Sequence, residues 1–572
     1  MPTIPTGKGA ANDQADKLAA DVKAAARAEE ARAAGKREKW PAPGQPPAPP
    51  DARLLDPALV DEAYHLEHLG DGMILQALFR GRYLCDSQAA GRAGDRFKHV
   101  YKFNGQSWQL DTAHSYRVEF MAALGDAYKH RAGAFYEKAK ELEERLGDLL
   151  ADPEASETAK KEADKEAKAA RKTGDAFSAR GKKCLAIPRM LHAADAAFSG
   201  PEALGLPHRV EWNDHPSWLP CANGTIDLET GRLMESKPEH YFNRSLPWEF
   251  KGLHAPCLVW QDTVNKVLGF DAEMIDYVEY IAGAAATGFQ TKDFIVAIGE
   301  TADNGKSLFF GTIAKVLGDF AVCVDVDMLL KQTSRSAGAA HPETLRLRYA
   351  RFVHTQEADS SDVLDVGKVK MYSAGGDAIA VRTLHSDIYH LFNQTHTMII
   401  HTNKAPRLYE GDKGLARRLR MLPFRSQFRN PAEGPENPAE GIFHARDRAE
   451  LEKIFESEMS GILGWMVRCA MKFLANSRRL PPAPPVVVAE SADYMTENDI
   501  VEQFIEAKCK RVEGFSTTAR DLYRDFKLWC EEEKDMEKKE IISSTRFGRQ
   551  IKGHVKSHKV HGVVVYKDIS VL

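Results

Sequence analysis

One stretch of the sequence combines residue types that bind phosphate groups. Gly299 and Gly305 flank a short loop, and Lys306 and Ser307 follow it directly. Glycines let backbone N–H groups approach phosphate oxygens, a lysine here reaches the β- and γ-phosphates, and a serine hydroxyl ligates Mg²⁺. Five residues separate the glycines where the usual motif has four, and we place the additional residue at the outer rim of the loop. The pattern predicts a site for ATP and Mg²⁺ formed by Gly299, Asn304, Gly305, Lys306 and Ser307.

Two later strand-like runs end in polar residues suited to hydrolysis. The first leads to Glu357, with Asp359 as the alternative acid, and the second leads to Asn403. A carboxylate beside a bound triphosphate can polarise the attacking water and support Mg²⁺, and an amide can orient that water. We therefore predict Glu357 and Asn403 as catalytic residues, and Ser307 and Glu357 as ligands of the metal.

A pair of arginines follows the second of these strands at a short distance. Either Arg417 or Arg418 could act as an arginine finger on the ATP of a neighbouring subunit, and the sequence does not distinguish them. Such a finger typically contributes about 10³–10⁵ in rate. Both are predicted here as catalytic candidates.

The elements that must position these residues are also indicated by the sequence. Residues 294–298 form a continuous apolar run, as expected for a buried parallel strand, and an amphipathic helix pattern follows Ser307. A strand, a glycine-containing loop and a helix in this order are the context that a phosphate-binding loop requires. Apolar residues recurring every three or four positions predict a helix over 272–286, and Asn223-Gly224 predicts a hairpin turn.

Taken together, the order of these motifs resembles that of the superfamily 3 helicases of the phage/plasmid primase–helicase and poxvirus primase–helicase type. The resemblance is carried by NGKS, a strand ending in QEAD, a GGD turn, IIHTNKAP and DKGLARRLRMLPF, and by the preceding LPCANGTIDLETGRL. It implies an α/β fold with a P-loop, AAA+-like ATPase core. It also implies a homo-hexameric ring that threads single-stranded DNA in the 3′-to-5′ direction.

The candidate DNA contacts lie in two segments. Alternating apolar residues on either side of 383–387 predict a β-hairpin. In the resembled family this hairpin points into the ring channel, and Arg382 and His385 match its phosphate-tracking positions. Lys370 precedes the Gly-Gly turn, and all three residues are predicted to bind DNA.

A second basic pattern lies near the end of the chain. Its cations recur at three- and four-residue spacing, as on one face of a helix, and a strand-like run follows at 562–566. Helices ending in a short hairpin predict a winged-helix-like domain with a basic recognition helix. The residues of this face are Arg546, Arg549, Lys552 and Lys556, of which the first three are predicted to bind DNA.

The expected organisation is an ATPase core preceded by a mostly helical region and followed by the winged-helix-like domain. The predicted boundaries are a disordered, proline-rich tail at 1–53, an N-terminal helicase-associated domain at 54–258 with a charged helical insertion at 136–183, the ATPase domain at 259–430, a helical extension and proline-rich linker at 431–492, and the winged-helix-like domain at 493–572.

Composition restricts the class of protein. The net charge of −4 gives no global positive field, so any contact with nucleic acid must be local. The eight cysteines are scattered singly, which favours neither a zinc site nor a disulfide scaffold. No apolar run is long enough to cross a membrane. We expect a cytoplasmic protein, in a bacterial host, without a membrane partner.

The sequence thus predicts an ATP-dependent replicative DNA helicase of a phage, plasmid or similar mobile element that acts on single-stranded and forked DNA. Two alternatives remain: another P-loop NTPase, such as a packaging motor or phosphotransferase, and a DNA-binding replication initiator with weak ATPase activity. No cluster of acids or cysteines that would indicate a priming site precedes residue 250. We therefore expect a separate primase or polymerase as a partner.

Overall fold

The computed structural model describes most of the chain after residue 49. The described residues are 50–86, 97, 99–200, 202–207, 210–299, 303–331, 342–355, 362–373, 378–382, 389–408, 413–534, 536 and 541–571, with the backbone alone for Arg382, Tyr389, His390 and Lys413. The predicted tail at 1–53 therefore lies almost entirely outside the described residues.

A helical unit with its own apolar core forms the first part of the described chain. Its helices are α1 (Pro57–His65), α2 (Glu67–Phe79), α3 (Ser115–Ala151), α4 (Glu157–Cys184) and α5 (Ile187–Ala197). The helices α3 and α4 pack along each other as a long hairpin, with Ala163, Ala167 and Ala170 of α4 buried. The charged insertion was predicted at 136–183, but its first helix begins at Ser115, because the apolar residues of its first turns pack in the core.

Two small antiparallel sheets connect this helical unit to the rest of the chain. Their strands are β1 (Tyr83–Cys85), β2 (Val100–Phe103) and β3 (Trp108–Leu110), and β4 (Trp218–Cys221), β5 (Gly224–Asp227) and β6 (Arg232–Met234). Cys221 pairs with Gly224, which confirms the tight turn predicted at Asn223-Gly224. A side chain at Gly224 would come within 2.5 Å of the carbonyl oxygen of Met234, so the turn requires glycine.

The central element is a parallel sheet of five strands in the order β13-β7-β12-β9-β8. The strands of this region are β7 (Phe294–Ile298), β8 (Ala321–Val324), β9 (Phe352–Thr355), the hairpin strands β10 (Ala378–Arg382) and β11 (Tyr389–Asn393), β12 (Thr397–Thr402) and β13 (Leu419–Pro423). Alternate residues of β7 enter two separate apolar clusters, one on each face of the sheet. Burial on both faces explains the uninterrupted apolar run in the sequence.

Helices cover this sheet, and further helices and two short strands follow it in the chain. They are α6 (Leu258–Val267), α7 (Ala272–Ala286), α8 (Lys306–Leu317), α9 (Pro342–Leu345), α10 (Val366–Tyr372), α11 (Lys413–Ala416), α12 (Arg448–Ala475) and α13 (Pro485–Glu497), with the short parallel strands β14 (Gln427–Arg429) and β15 (Ile442–His444). The bounds predicted for α7 are confirmed. Helix α7 crosses α12 so closely that a side chain at Gly283 would come within 2.1 Å of the carbonyl oxygen of Cys469.

The helix after the second proline-rich stretch packs on the unit built around the central sheet. Helix α13 packs on β13, and the hydroxyl of Ser491 accepts a hydrogen bond from the backbone N–H of Met421 at 2.9 Å. Val487 of the same helix is fully buried in the main core. The linker predicted within 431–492 therefore ends before Pro485, because the residues that follow it are needed to cover the sheet.

A buried arginine joins the small sheets to the central one. Arg351, directly before β9, is 2% exposed and donates hydrogen bonds to the carbonyl oxygens of Ala286 at 2.9 Å and His215 at 3.2 Å. It also donates to the carbonyl oxygen of Trp218 and lies over the ring of Phe320. Burial lowers its pKa to about 9, so it is still charged at neutral pH. The guanidinium satisfies carbonyls that have no access to water.

Replacing Arg351 should therefore destabilise the protein strongly. We expect Arg351→Met to lower the free energy of unfolding by about 2–4 kcal/mol, because three buried carbonyl groups lose their donor. Urea unfolding followed by tryptophan fluorescence measures this change. Arg346→Met is the matched control, since Arg346 is half exposed and pairs with Glu343 on the same turn; it should cost no more than about 0.5 kcal/mol. Equal effects of the two variants would contradict the assignment.

The C-terminal unit has a separate small core. It consists of α14 (Ile500–Lys508), α15 (Ala519–Glu532) and α16 (Ser544–Gln550), and of an antiparallel sheet in the order β16-β18-β17 formed by β16 (Cys509–Thr518), β17 (Ser557–Val560) and β18 (Val563–Val571). Across the described residues, no helix combines the length and the apolar character that crossing a membrane demands.

Candidate functional site

The loop after β7 closes directly onto the first turn of α8. β7 ends at Ile298, Gly299 follows, and α8 begins at Lys306. Gly305 caps this helix with a φ of +80°, a conformation that favours glycine, and a side chain there would also come within 2.5 Å of Val267. The first turn of α8 thus begins directly after this loop, and the N–H groups of a first helical turn suit the binding of an anion.

Lys306 is a buried cation at the junction of two neighbouring strands. Its side chain is 3% exposed, and its Nζ donates a hydrogen bond to Oδ1 of Asn403 at 3.0 Å. The same Nζ lies 3.5 Å from the carbonyl oxygen of Gly299. The strands that end at Gly299 and Asn403 pair in parallel, with Thr402 opposite Ile298. The structure thus brings together the lysine and the amide that the sequence predicted for one site.

Asn304 and Gly299 fix the shape of the loop. Asn304 is 4% exposed, and its Oδ1 accepts a hydrogen bond from the backbone N–H of Lys306 at 3.4 Å. A side chain at Gly299 would come within 2.2 Å of Nδ2 of Asn304 and 2.8 Å of Nζ of Lys306, so only glycine fits there. The carbonyl oxygen of Asp303 accepts a hydrogen bond from Phe428 at 2.9 Å, which ties the loop to β14. The position predicted for the additional loop residue lies outside the described residues.

A cavity of about 820 Å³ opens in front of Lys306. Ser307 is exposed on its wall. The cavity is also lined by an aromatic ring and three cations, which the sequence did not predict: Phe428, Arg429, Arg446 and Arg448. No motif marks these residues, and only their position after the final strand of the sheet could have indicated them.

Two histidines lie behind Lys306 on adjacent strands. Nδ1 of His354 and Nε2 of His401 are 3.3 Å apart, and the ring of His401 stacks on that of Phe310. Burial, together with the nearby His354 and Lys306, lowers the pKa of His401 to about 4, and burial also lowers the pKa of His354. Both rings are therefore neutral at pH 7 and add no charge beside Lys306. Sequence analysis missed this pair, although each histidine lies one residue before the threonine that ends its strand.

The predicted acids cannot be located. Glu357 and Asp359 lie outside the described residues. The strand that leads to them, β9, is present as predicted and pairs in parallel with β12, with His354 opposite Ile399. Carboxyl ends of neighbouring parallel strands form one edge, where ligands of open α/β sheets bind. The assignment of Glu357 as catalytic acid and metal ligand stays a prediction.

The two candidate arginines have different surroundings. Arg417 is exposed, whereas Nη1 of Arg418 donates to the carbonyl oxygens of Ser373 at 3.0 Å and Lys370 at 3.3 Å. Both precede β13, whose first residue pairs with Phe294 at the start of β7. Lys306 lies beyond the other end of β7, and five strand residues span about 16 Å. The arginines and the lysine of one chain therefore occupy opposite edges of the sheet.

The predicted hairpin is present between α10 and the strand that carries Asn403. β10 and β11 pair antiparallel, from Ala378 opposite Asn393 to Arg382 opposite Tyr389. The side chain of Arg382 and the whole of His385 lie outside the described residues. Lys370 is half-buried on α10. Their proposed contacts with DNA stay predictions.

The basic residues near the C-terminus do not form the single helix face that the sequence predicted. Helix α16 ends at Gln550, so Lys552 lies in the following 3-10 turn and Lys556 lies beyond it. Arg546 is half-buried, and burial, together with the positive charge of Arg546, lowers the pKa of Lys331 in the unit around the central sheet. The prediction was wrong because it assumed that one α-helix continues through Lys556, whereas the helix ends at Gln550. Arg549 and Lys552 are exposed.

Comparison with known proteins gives a family match for part of the chain. Residues 76–269 match the family model described as D5 N terminal like. Two apo structures of the C-terminal region of NrS-1 are similar over 56% of this chain. They share 12% and 11% sequence identity with it at TM-scores of 0.30 and 0.31, and the alignments cover 78% and 79% of those chains.

Three viral proteins, each named a putative helicase, are similar in sequence. The one from Acanthamoeba polyphaga mimivirus is 23% identical over 320 residues, which are 54% of this chain and 32% of the relative. The one from Frog virus 3 is 27% identical over 255 residues, 44% of this chain and 26% of the relative. The one from Invertebrate iridescent virus 6 is 23% identical over 54% of this chain and 34% of the relative. The alignments thus span about a third or less of each relative's length.

Proposed function

We propose that this chain is an ATP-driven DNA helicase that serves the replication of a virus or similar mobile element. The observation that carries the proposal is the contact of the buried Lys306 with Asn403, at a helix N-terminus and in front of a large cavity. The relatives named as helicases and the match to a D5 N-terminal-like model support it. A bare phosphate site would fit many enzymes, and these similarities favour a helicase among them.

The residues of the site suit a bound ATP with Mg²⁺. ATP would supply the γ-phosphoryl group, and Mg²⁺ would offset its charge. The first-turn N–H groups of α8 and the ammonium of Lys306 would hold the phosphate oxygens. Ser307 and Glu357 would hold the metal ion, and Glu357 would take a proton from the attacking water that Asn403 orients.

The positions of the arginines support the proposal of a homo-hexameric ring. Within one chain they lie at the edge of the sheet opposite Lys306, so a finger from this segment must act on a neighbouring subunit. Arg417 is the better candidate, because it is exposed while Arg418 bonds to its own chain. Translocation in the 3′-to-5′ direction, and a separate primase or polymerase as partner, complete the proposal.

The DNA would be held in two places. Lys370, Arg382 and His385 would contact single-strand phosphates in the ring channel. The three helices and three antiparallel strands at the C-terminus suit a winged-helix-like domain, whose exposed Arg549 and Lys552 would contact duplex DNA.

ATP turnover measured with and without single-stranded DNA tests the proposal. A helicase should hydrolyse ATP slowly alone and several-fold faster with DNA. A phosphotransferase would ignore DNA, and a replication initiator with a decayed site would bind DNA without measurable turnover. Either result would overturn the proposed function.

The C-terminal contact gives a separate prediction. The double variant Arg549→Ala/Lys552→Ala should weaken duplex binding and flatten the slope of log K against log salt by about 1.8, or about 0.9 for each lost phosphate contact. Unwinding of a preloaded fork should be largely kept. Lys165→Ala/Lys172→Ala, which removes two exposed cations from α4, is the control and should bind like wild type. If the double variant shows the wild-type salt slope, Arg549 and Lys552 do not contact DNA phosphates.

A further inference from the structure

Four consecutive carbonyl groups end helix α10, directly before the chain enters the hairpin. A helix leaves its last carbonyls without partners inside the helix, so they must be satisfied from elsewhere. Here side chains supply the donors. Nη1 of Arg418 lies 3.3 Å from the carbonyl oxygen of Lys370 and 3.0 Å from that of Ser373.

Two glutamines complete the set between these positions. Nε2 of Gln394 donates to the carbonyl oxygen of Met371 at 2.7 Å, and Nε2 of Gln290 donates to that of Tyr372 at 2.8 Å. The same Nε2 of Gln290 lies 2.8 Å from Oε1 of Gln394, so the two amides are also bonded to each other. We call Gln290, Gln394 and Arg418, with the four carbonyls they bind, the hairpin anchor.

The three donors come from three different segments of the chain. Gln290 precedes β7, the strand that leads to the phosphate loop. Gln394 follows β11 and precedes the strand that ends at Asn403. Arg418 is adjacent to Arg417, the candidate finger. The hairpin anchor therefore connects both ends of the hairpin to β7 and β12, which lead to the phosphate site, and to the segment that carries Arg417.

The burial of several residues of the hairpin anchor makes its hydrogen bonds costly in free energy to break. Gln394 and Tyr372 are 5% exposed and Ser373 is 2% exposed, whereas Met371 is 43% exposed, so the hairpin anchor is partly shielded from water. A buried acceptor that loses its donor has no water to replace it. The root of the hairpin thus cannot move without moving the strands that hold the donors.

We propose that the hairpin anchor transmits the nucleotide state to the DNA-gripping hairpin, with Gln290 and Gln394 as positioning residues. This inference rests on the proposed function, since it requires a hairpin that contacts DNA. A ring whose hairpin anchor is weakened should still hydrolyse ATP, but the hydrolysis should respond poorly to DNA and unwind fewer base pairs per ATP.

The test compares neighbouring variants in the full-length chain. Gln394→Met and Gln290→Met keep side-chain size and remove the donors. Thr395→Val is the matched control, because the Thr395 hydroxyl donates to the carbonyl oxygen of Ala350 at 2.7 Å and does not contact α10. Basal ATPase, ATPase saturated with single-stranded DNA, base pairs unwound per ATP, and melting temperature are measured for each.

We expect both glutamine variants to keep basal ATPase within about twofold and to lose about tenfold of DNA stimulation, or about 1.4 kcal/mol of coupling. Thr395→Val should keep both. If DNA stimulates the ATPase of the wild type and stimulates the glutamine variants as much as Thr395→Val, this inference is overturned but the proposed function is not. Equal loss of basal and stimulated rates, in step with a lower melting temperature, would also overturn it by showing a purely structural cap. A wild type whose ATPase ignores DNA would overturn the proposed function as well.

Discussion

Lys306→Ala should remove ATP hydrolysis and DNA unwinding together, with a loss in turnover of at least about 10²–10³-fold. The ammonium is 3% exposed and lies at the carboxyl end of β7, where the γ-phosphate charge would develop. No water can take its place without a large loss of electrostatic stabilisation. Steady-state phosphate release measures the effect, and binding of duplex DNA through the C-terminal unit should persist.

Lys315→Ala is the matched control for this variant. Lys315 lies on the same helix, α8, but its side chain is 44% exposed and pairs with Glu456. Its removal should leave turnover close to wild type. If Lys306→Ala hydrolyses ATP at a similar rate to Lys315→Ala, the phosphate site has been misassigned.

Arg417→Ala should bind ATP but hydrolyse it about 10³–10⁵-fold more slowly. The exposed guanidinium precedes β13 at the edge of the sheet far from its own Lys306, so it would stabilise the transition state in a neighbouring subunit. Binding of a fluorescent ATP analogue and phosphate release separate the two steps.

Mixing of inactive subunits tests whether the arginine acts between chains. Rings that contain both Arg417→Ala and Lys306→Ala subunits should regain part of the activity, because some interfaces again combine an intact lysine with an intact arginine. Each variant alone provides the control. Rings shown to be mixed that stay inactive would contradict action in trans.

The sequence allowed strands of the central sheet, and the presence of Lys306 and Asn403 in one site, to be predicted for the same physical reason. Strands buried on both faces leave uninterrupted apolar runs, as at 294–298 and 398–400, and parallel strands end at one edge. Gly299, Lys306 and Asn403 could therefore be placed together before their coordinates were known. Local turn chemistry was equally informative at Asn223-Gly224.

Features that depend on packing between distant segments were not predictable. Arg417 and Arg418 are adjacent in the sequence, and only the approach of helix α10 distinguishes them. The neutral pair His354 and His401 arises from strand register, and the cavity wall at Phe428 comes from a segment without a motif. The basic face assumed around Lys552 was wrong because spacing alone does not show where a helix ends.

The most direct test of the central claim is strand displacement from a forked duplex with a 3′ single-stranded arm. Wild-type protein and Lys306→Ala are compared, each with ATP and with a non-hydrolysable analogue. We predict that only the wild type with ATP displaces the strand, with phosphate released in proportion to the base pairs opened. Displacement that persists in Lys306→Ala, or ATP turnover by the wild type without any displacement, would contradict the account.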